Sequence, residues 1–119
     1  MKKIFITTGN EIPGKDIKEI IGVVKGSTVR ARNIALDIGA YIKNIIGGEI
    51  KTYTNMTKAS RDEAFNRMVA EAKKVKADAI IGMRFATSMV MQGASEMLAY
   101  GTAVKLKWLF VDYFLEKAF

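Results

Sequence analysis

Across residues 17–29 the apolar side chains fall on two interleaved rows. Ile17, Ile21 and Val23 share one row with Glu19; Ile20 and Val24 share the other with Gly22. A period of two belongs to an extended chain, and apolar residues on both rows predict a long strand buried over much of both faces. Gly22 marks a bulge or a close backbone approach, and Gly26-Ser27 a kink. Residues 4–7, 78–90 and 97–106 predict three further strands. The turn chemistry of 10–14, with Pro13-Gly14, and the hairpin connection 91–95 lie between them.

The period changes at residues 31–46. Ile34, Ile38, Tyr41, Ile42 and Ile45 recur at helical spacing, which predicts an amphipathic helix. Gly47-Gly48 follows its last apolar pair. A phosphate cradle needs its glycines after a strand and before a helix. Here they follow a helix, so a left-handed C-cap is expected. A second helix is predicted over 54–75 with the stripe Phe65, Met68, Val69, Ala72 and Val75. Its start is open: Ser60 and Glu63 fit a capping box, while Thr52 or Thr54 would cap a longer helix. Lys73, Lys74 and Lys76 suit the dipole at its end. The order β, β, α, α, β, β points to an α+β fold with a mostly antiparallel sheet and two helices. We expect one domain over 1–106 and a distinct extension over 107–119. Five of the eleven aromatic residues stand between Trp108 and Phe119, and packing on the chain's own domain or on a neighbouring subunit is expected of them.

A length of 119 residues suits one domain. With 50% hydrophobic residues, the chain has a surplus of apolar surface of the kind that goes into subunit contacts. It contains no cysteine and no histidine. Disulfides, thiolate sites and the usual zinc ligands are thereby excluded, as is the usual general base near neutral pH. The formal charge of +7 is scattered, so a solvated surface is expected rather than a nucleic-acid partner. No apolar run reaches the ~20 residues needed to cross a bilayer, and the N-terminus lacks an adequate apolar stretch for a signal peptide. A cytoplasmic protein is expected.

Candidate chemistry is sparse. Asn33, Asp37 and Asn44 share one helix face, with Tyr41 adjoining. Such a row is a solvent face or the lining of a subunit contact, where Asp37 could pair with Arg61 or Arg84. Met89, Met91 and Met97 gather about the hairpin tip. Their thioethers suit Cu(I), although methionine is also flexible filler. No catalytic constellation stands out, so no enzyme is expected; Glu63 has Arg67 one turn on as a plain ion-pair partner.

Six stretches resemble the YbjQ-like family, an uncharacterised group labelled heavy-metal-binding: GVVKGSTV, RNIALDIGAYIKNIIGG, KTY, SRDEAF, ADAIIGMRF and MLAYGTAV. They run in order from Ile17 to Val104. The resemblance implies a dodecin-subunit-like α+β fold assembled as a ring, a pentamer that can stack into a decamer. It also favours a second helix beginning near Tyr53. Leu36 stands where the family helix has an arginine beside Asp37. The expected role is a non-enzymatic binder of a small ligand or ion between identical chains, with Asn33, Asp37, Tyr53, Arg61 and Asp78 as its candidate residues. The alternative is a soft-metal binder using Met89, Met91 and Met97. No cofactor is identified.

Overall fold

The computed structural model describes the backbone of residues 3–31 and 50–107 and the side chains of 3–30 and 57–107. Its elements are β1 (Phe5–Ile6), β2 (Asp16–Ala31), α1 (Ile50–Lys74), β3 (Ala79–Met91) and β4 (Ala94–Lys107). The strands form one four-stranded sheet in the order β1-β3-β4-β2. β1 runs parallel to β3, and the other two pairings are antiparallel. The α+β class expected from the order of apolar patterns is therefore observed. The described residues hold one helix. The helix expected over 31–46, with its Gly47-Gly48 cap, lies outside them except for Ala31, which instead ends β2. The tail 108–119 lies outside them as well.

β2 pairs with β4 along its whole length, with register shifts between Ile17 and Glu19 and between Ile20 and Gly22. The second is the bulge expected at Gly22, whose φ of 146° suits a residue without Cβ. Two residues, Gln92 and Gly93, join β3 to β4, with Gly93 at φ 80°.

The helix lies on one face of the sheet, over β2 and β4. Its buried apolar residues are Ala64, Met68 and Ala72, packed with Val24, Ile80, Met83, Ala99 and Ala103. Met68 and Ile80 are fully buried, each worth about 1.5–3 kcal/mol in removal from water. A smaller apolar cluster joins Ile12, Ala79, Val104 and Leu106, flanked by Phe5 and Ile81. One expectation is corrected here. β2 is not buried on both faces: Val24, Gly26 and Thr28 are covered, while Ile20, Val23 and Val29 are exposed. A single helix can cover only one face, and nothing among the described residues lies over the rest of the other.

The end of α1 shows why the chain turns where it does. The N–H of Ala77 donates to the Ala72 carbonyl at 3.0 Å, and that of Lys76 to the Lys73 carbonyl at 3.1 Å. This is the Schellman pattern, with Lys76 in the left-handed position at φ 60°. Ala72 and Ala77, the two ends of the bond that spans more residues, belong to the same core cluster.

Candidate functional site

Helix α1 begins at Ile50, so Ser60 is not its N-cap but sits in mid-helix and is buried. It anchors the helix to β2 instead. The Thr28 hydroxyl donates to the Ser60 carbonyl at 3.2 Å, and Arg30 Nε donates to Ser60 Oγ at 3.2 Å. Glu63 stands between two guanidinium groups. Its Oε2 accepts from Arg30 Nη2 and its Oε1 from Arg67 Nη2, both at 2.6 Å. Arg67 also donates from Nη1 to the Ser27 carbonyl at 2.6 Å. The Glu63–Arg67 pair follows from the sequence spacing. Arg30 does not, because it arrives from 33 residues away and helical spacing carries no signal for it. These groups are partly exposed, so each pair contributes modestly. Together they fix α1 in register along β2.

The five candidate ligand residues fare differently. Asn33 and Asp37 lie outside the described residues, as do Asn44 and Tyr41. Tyr53 falls on α1, and its side chain lies outside the described ones. Arg61 is exposed on α1. Asp78 is buried just before β3. Its Oδ2 accepts the Leu106 N–H at 2.8 Å. Its own N–H donates to the Val104 carbonyl at 2.9 Å, and its carbonyl accepts from the Phe5 N–H at 3.2 Å. Asp78 thus ties β1, β3 and β4 together beside Val104 and Leu106, toward the other end of β4 from Ser95, the register partner of Arg30. Arg84, a possible partner for Asp37, donates from Nη1 to the carbonyls of Thr8 at 2.7 Å and Met83 at 2.8 Å. It holds the loop after β1 against β3.

The methionines are split by a register shift. Met89 pairs with Ser95, and Met97 with Thr87, on the face that carries α1. Between Met89 and Met91 the ladder slips, and Met91 stands opposite Ala94. Side chains alternate along a strand, so Met91 falls on the other face. The three sulfurs expected about one point are not gathered there.

What the sheet leaves open is apolar. In the single chain Ile20 is 67%, Val23 69% and Val29 59% exposed on β2, while Phe85 is 46% and Met89 75% exposed on β3. These are large apolar side chains that the described residues leave uncovered.

These features define a small α+β domain, a mixed sheet with a helix over part of one face and apolar strands left bare. The chain belongs to the YbjQ family, whose model, described as "Putative heavy-metal-binding", matches residues 4–107. It is 55% identical over 106 residues to a UPF0145 protein of Archaeoglobus fulgidus, covering 89% of this chain and 98% of that one. A UPF0145 protein of Shewanella frigidimarina is 55% identical over 103 residues, covering 87% and 96%. Among solved structures, a protein of unknown function from Pediococcus pentosaceus is similar with a TM-score of 0.60 and 26% identity, covering 87% of this chain and 98% of that chain.

The family description invites a test of donors. Among the described residues no group of three or more Asp or Glu side chains could hold a metal ion, and the chain has no histidine or cysteine. A site of the usual nitrogen, thiolate or clustered carboxylate kind does not fit these residues. Nor is any described helix long and apolar enough to cross a membrane.

Proposed function

We propose that this chain is a non-enzymatic subunit of a homo-oligomer, a pentamer on the family resemblance, that binds a small ligand or ion where subunits meet. The observation that carries this reading is the bare apolar surface of β2 and β3. A one-domain protein with Val23 and Met89 this exposed gains stability by covering them, at about 25 cal/mol per Å² of apolar surface. A ring repeats each polar side chain around its axis, so weak single contacts with a ligand converge. Arg61, exposed on α1, and Asn33, Asp37 and Tyr53 are the side chains proposed to reach such a site. Asp78, buried among three strands, serves it by holding the sheet edge in place.

Native mass spectrometry of protein purified without added ligand tests both halves. The expected spectrum shows a five-fold multiple of the 13.2 kDa chain carrying an additional small mass. A spectrum of bare monomers overturns the reading.

A second reading, soft-metal binding through methionine sulfur, is favoured by the exposure of Met89 and Met91 and by the family description. The register allows Met89 and Met97 to act on one face, with Met91 apart. The same spectra after Cu(I) addition decide it: copper retained by the native chain and lost on Met89→Leu with Met97→Leu supports it, and copper indifferent to those changes removes it.

A further inference from the structure

We propose that the sheet face away from α1 carries a site for a small anion with a flat ring, built by Lys25, Tyr100 and Arg84. The three stand in one row across β2, β4 and β3: Lys25 pairs with Tyr100, and Tyr100 with Arg84. The neighbouring row, Gly26, Ala99 and Phe85, faces α1, since a Cβ at Gly26 would strike the backbone of that helix. Side chains alternate along a strand, so Lys25, Tyr100 and Arg84 belong to the opposite face. All three are exposed among the described residues. Side chains in register on neighbouring strands have Cβ atoms about 4.5–5.5 Å apart, so a cation stands on each side of the Tyr100 ring. The site lies within one chain and uses none of the residues proposed above for the subunit contact.

Neither positive charge is cancelled by a described carboxylate. Arg84 donates from Nη1 to the carbonyls of Thr8 at 2.7 Å and Met83 at 2.8 Å, and both acceptors are neutral. They fix the guanidinium but leave its charge, and no described residue accepts from its Nε or Nη2. Lys25 has no ion-pair partner among the described residues. Arg30 and Arg67 differ in this respect, because they share Glu63 between them. By register, β2, β3 and β4 carry one acid on the face of Lys25, and it is Glu96. It stands two residues along β4 from Tyr100 and its pairs, about 7 Å away along the strand. A fixed guanidinium with N–H groups left over, near an ammonium on a flexible stem, is a donor set for a phosphate or carboxylate.

The ring between the cations decides the rest of the ligand. Tyr100 is the one aromatic residue that β2, β3 and β4 place on this face. Leu98 precedes it by two residues on β4, and Ile81 lies beyond it toward the cluster of Ile12, Ala79, Val104 and Leu106; both are partly buried. An aromatic ligand can stack on Tyr100 along this apolar margin and turn its anionic group to the cations beside it. Proteins that hold single-stranded nucleic acid stack successive bases on successive aromatic side chains. One ring holds one base, so a ligand the size of a mononucleotide fits this row and a strand does not.

Titration calorimetry of the full chain with adenosine monophosphate, adenosine and inorganic phosphate tests the site. The nucleotide should bind at least about tenfold more tightly than either part, and Tyr100→Leu and Lys25→Gln should each weaken it about tenfold. Arg84 also holds the loop after β1, so the test rests on Lys25 and Tyr100, whose side chains make no hydrogen bond to a described residue. Circular dichroism shows that each variant is folded. Lys58→Gln removes the same charge from an exposed position on α1 and should leave the affinity unchanged. Four results overturn the proposal: no binding of the nucleotide at millimolar concentration, inorganic phosphate bound as tightly, affinity indifferent to Tyr100→Leu and Lys25→Gln, or an equal loss with Lys58→Gln. A single-stranded oligonucleotide bound far more tightly than the nucleotide overturns the small-ligand class. The subunit-contact reading stands or falls separately, by the mass of the native assembly.

Discussion

Gly26 and Gly93 are both glycines, yet for opposite reasons. A Cβ at Gly93 would meet nothing, but the backbone there is left-handed at φ 80°. Gly26 has no such conformation; it lacks space. A Cβ there would run into the carbonyl oxygen of Ala64 and the backbone nitrogen of Met68, and would come within 2.6 Å of Arg67 Cβ. Two of those atoms are helix backbone and cannot turn aside. The whole of α1 would have to lift from β2, disturbing the contacts of Thr28 and Arg30 with Ser60. Gly26→Ala should therefore cost about 3 kcal/mol, the upper part of the usual range for overpacking. Gly93→Ala should cost about 1 kcal/mol, the left-handed penalty alone. Thermal unfolding followed by circular dichroism checks the order: equal losses would mean that the close approach of α1 to β2 is wrong. In the sequence Gly26 reads as a kink, because one chain segment carries no sign of what packs against it.

At the scale of elements, the number and kind of described strands are legible in the sequence because period two is a local property. The expected strands over 4–7, 17–29, 78–90 and 97–106 correspond to β1, β2, β3 and β4. The buried stripe of α1 is less so. The expected stripe of Phe65, Met68, Val69, Ala72 and Val75 includes the deeply buried Met68 and Ala72 but misses Ala64, while Phe65 and Val69 are partly buried and Val75, just past the helix, is exposed. Alanine at the centre allows the helix backbone to approach Gly26, and the larger residues then flank the contact. The helix terminus is a similar case. Three lysines near the end fit a dipole argument, but Lys76 also occupies the left-handed position that glycine prefers. It is exposed, so its side chain adds little there. Lys76→Gly should stabilise the domain by about 0.5–1 kcal/mol, net of the greater unfolded-chain entropy of glycine. That corresponds to a rise of about 3 °C in Tm for a chain this long. A fall in Tm would show that the terminus is held by something other than the Schellman bonds.

At the scale of the molecule, the candidate site is the least legible part, because a site between chains is not encoded in any one spacing. The row Asn33, Asp37 and Asn44 can be read from helical periodicity, but what it faces cannot. The edges of β2 and β3 are equally silent in the sequence, since a strand's pattern does not say whether its outer side is paired. The aromatic extension offers a rival account of the surplus apolar surface. Its residues from Trp108 onward lie beyond the family match, which ends at residue 107, and 106 and 103 residues of this chain suffice to cover two relatives almost end to end. If the exposed apolar residues of β2 and β3 drive association, the driving surface lies wholly inside the shared region. A chain ending at Lys107 should then sediment at the same subunit number as the full chain. If the shortened chain keeps its thermal unfolding transition but sediments as a monomer, association belongs to the aromatic residues and not to the sheet. The comparison is decisive because the two candidate surfaces are separate stretches of sequence, and one can be removed while the other is kept whole.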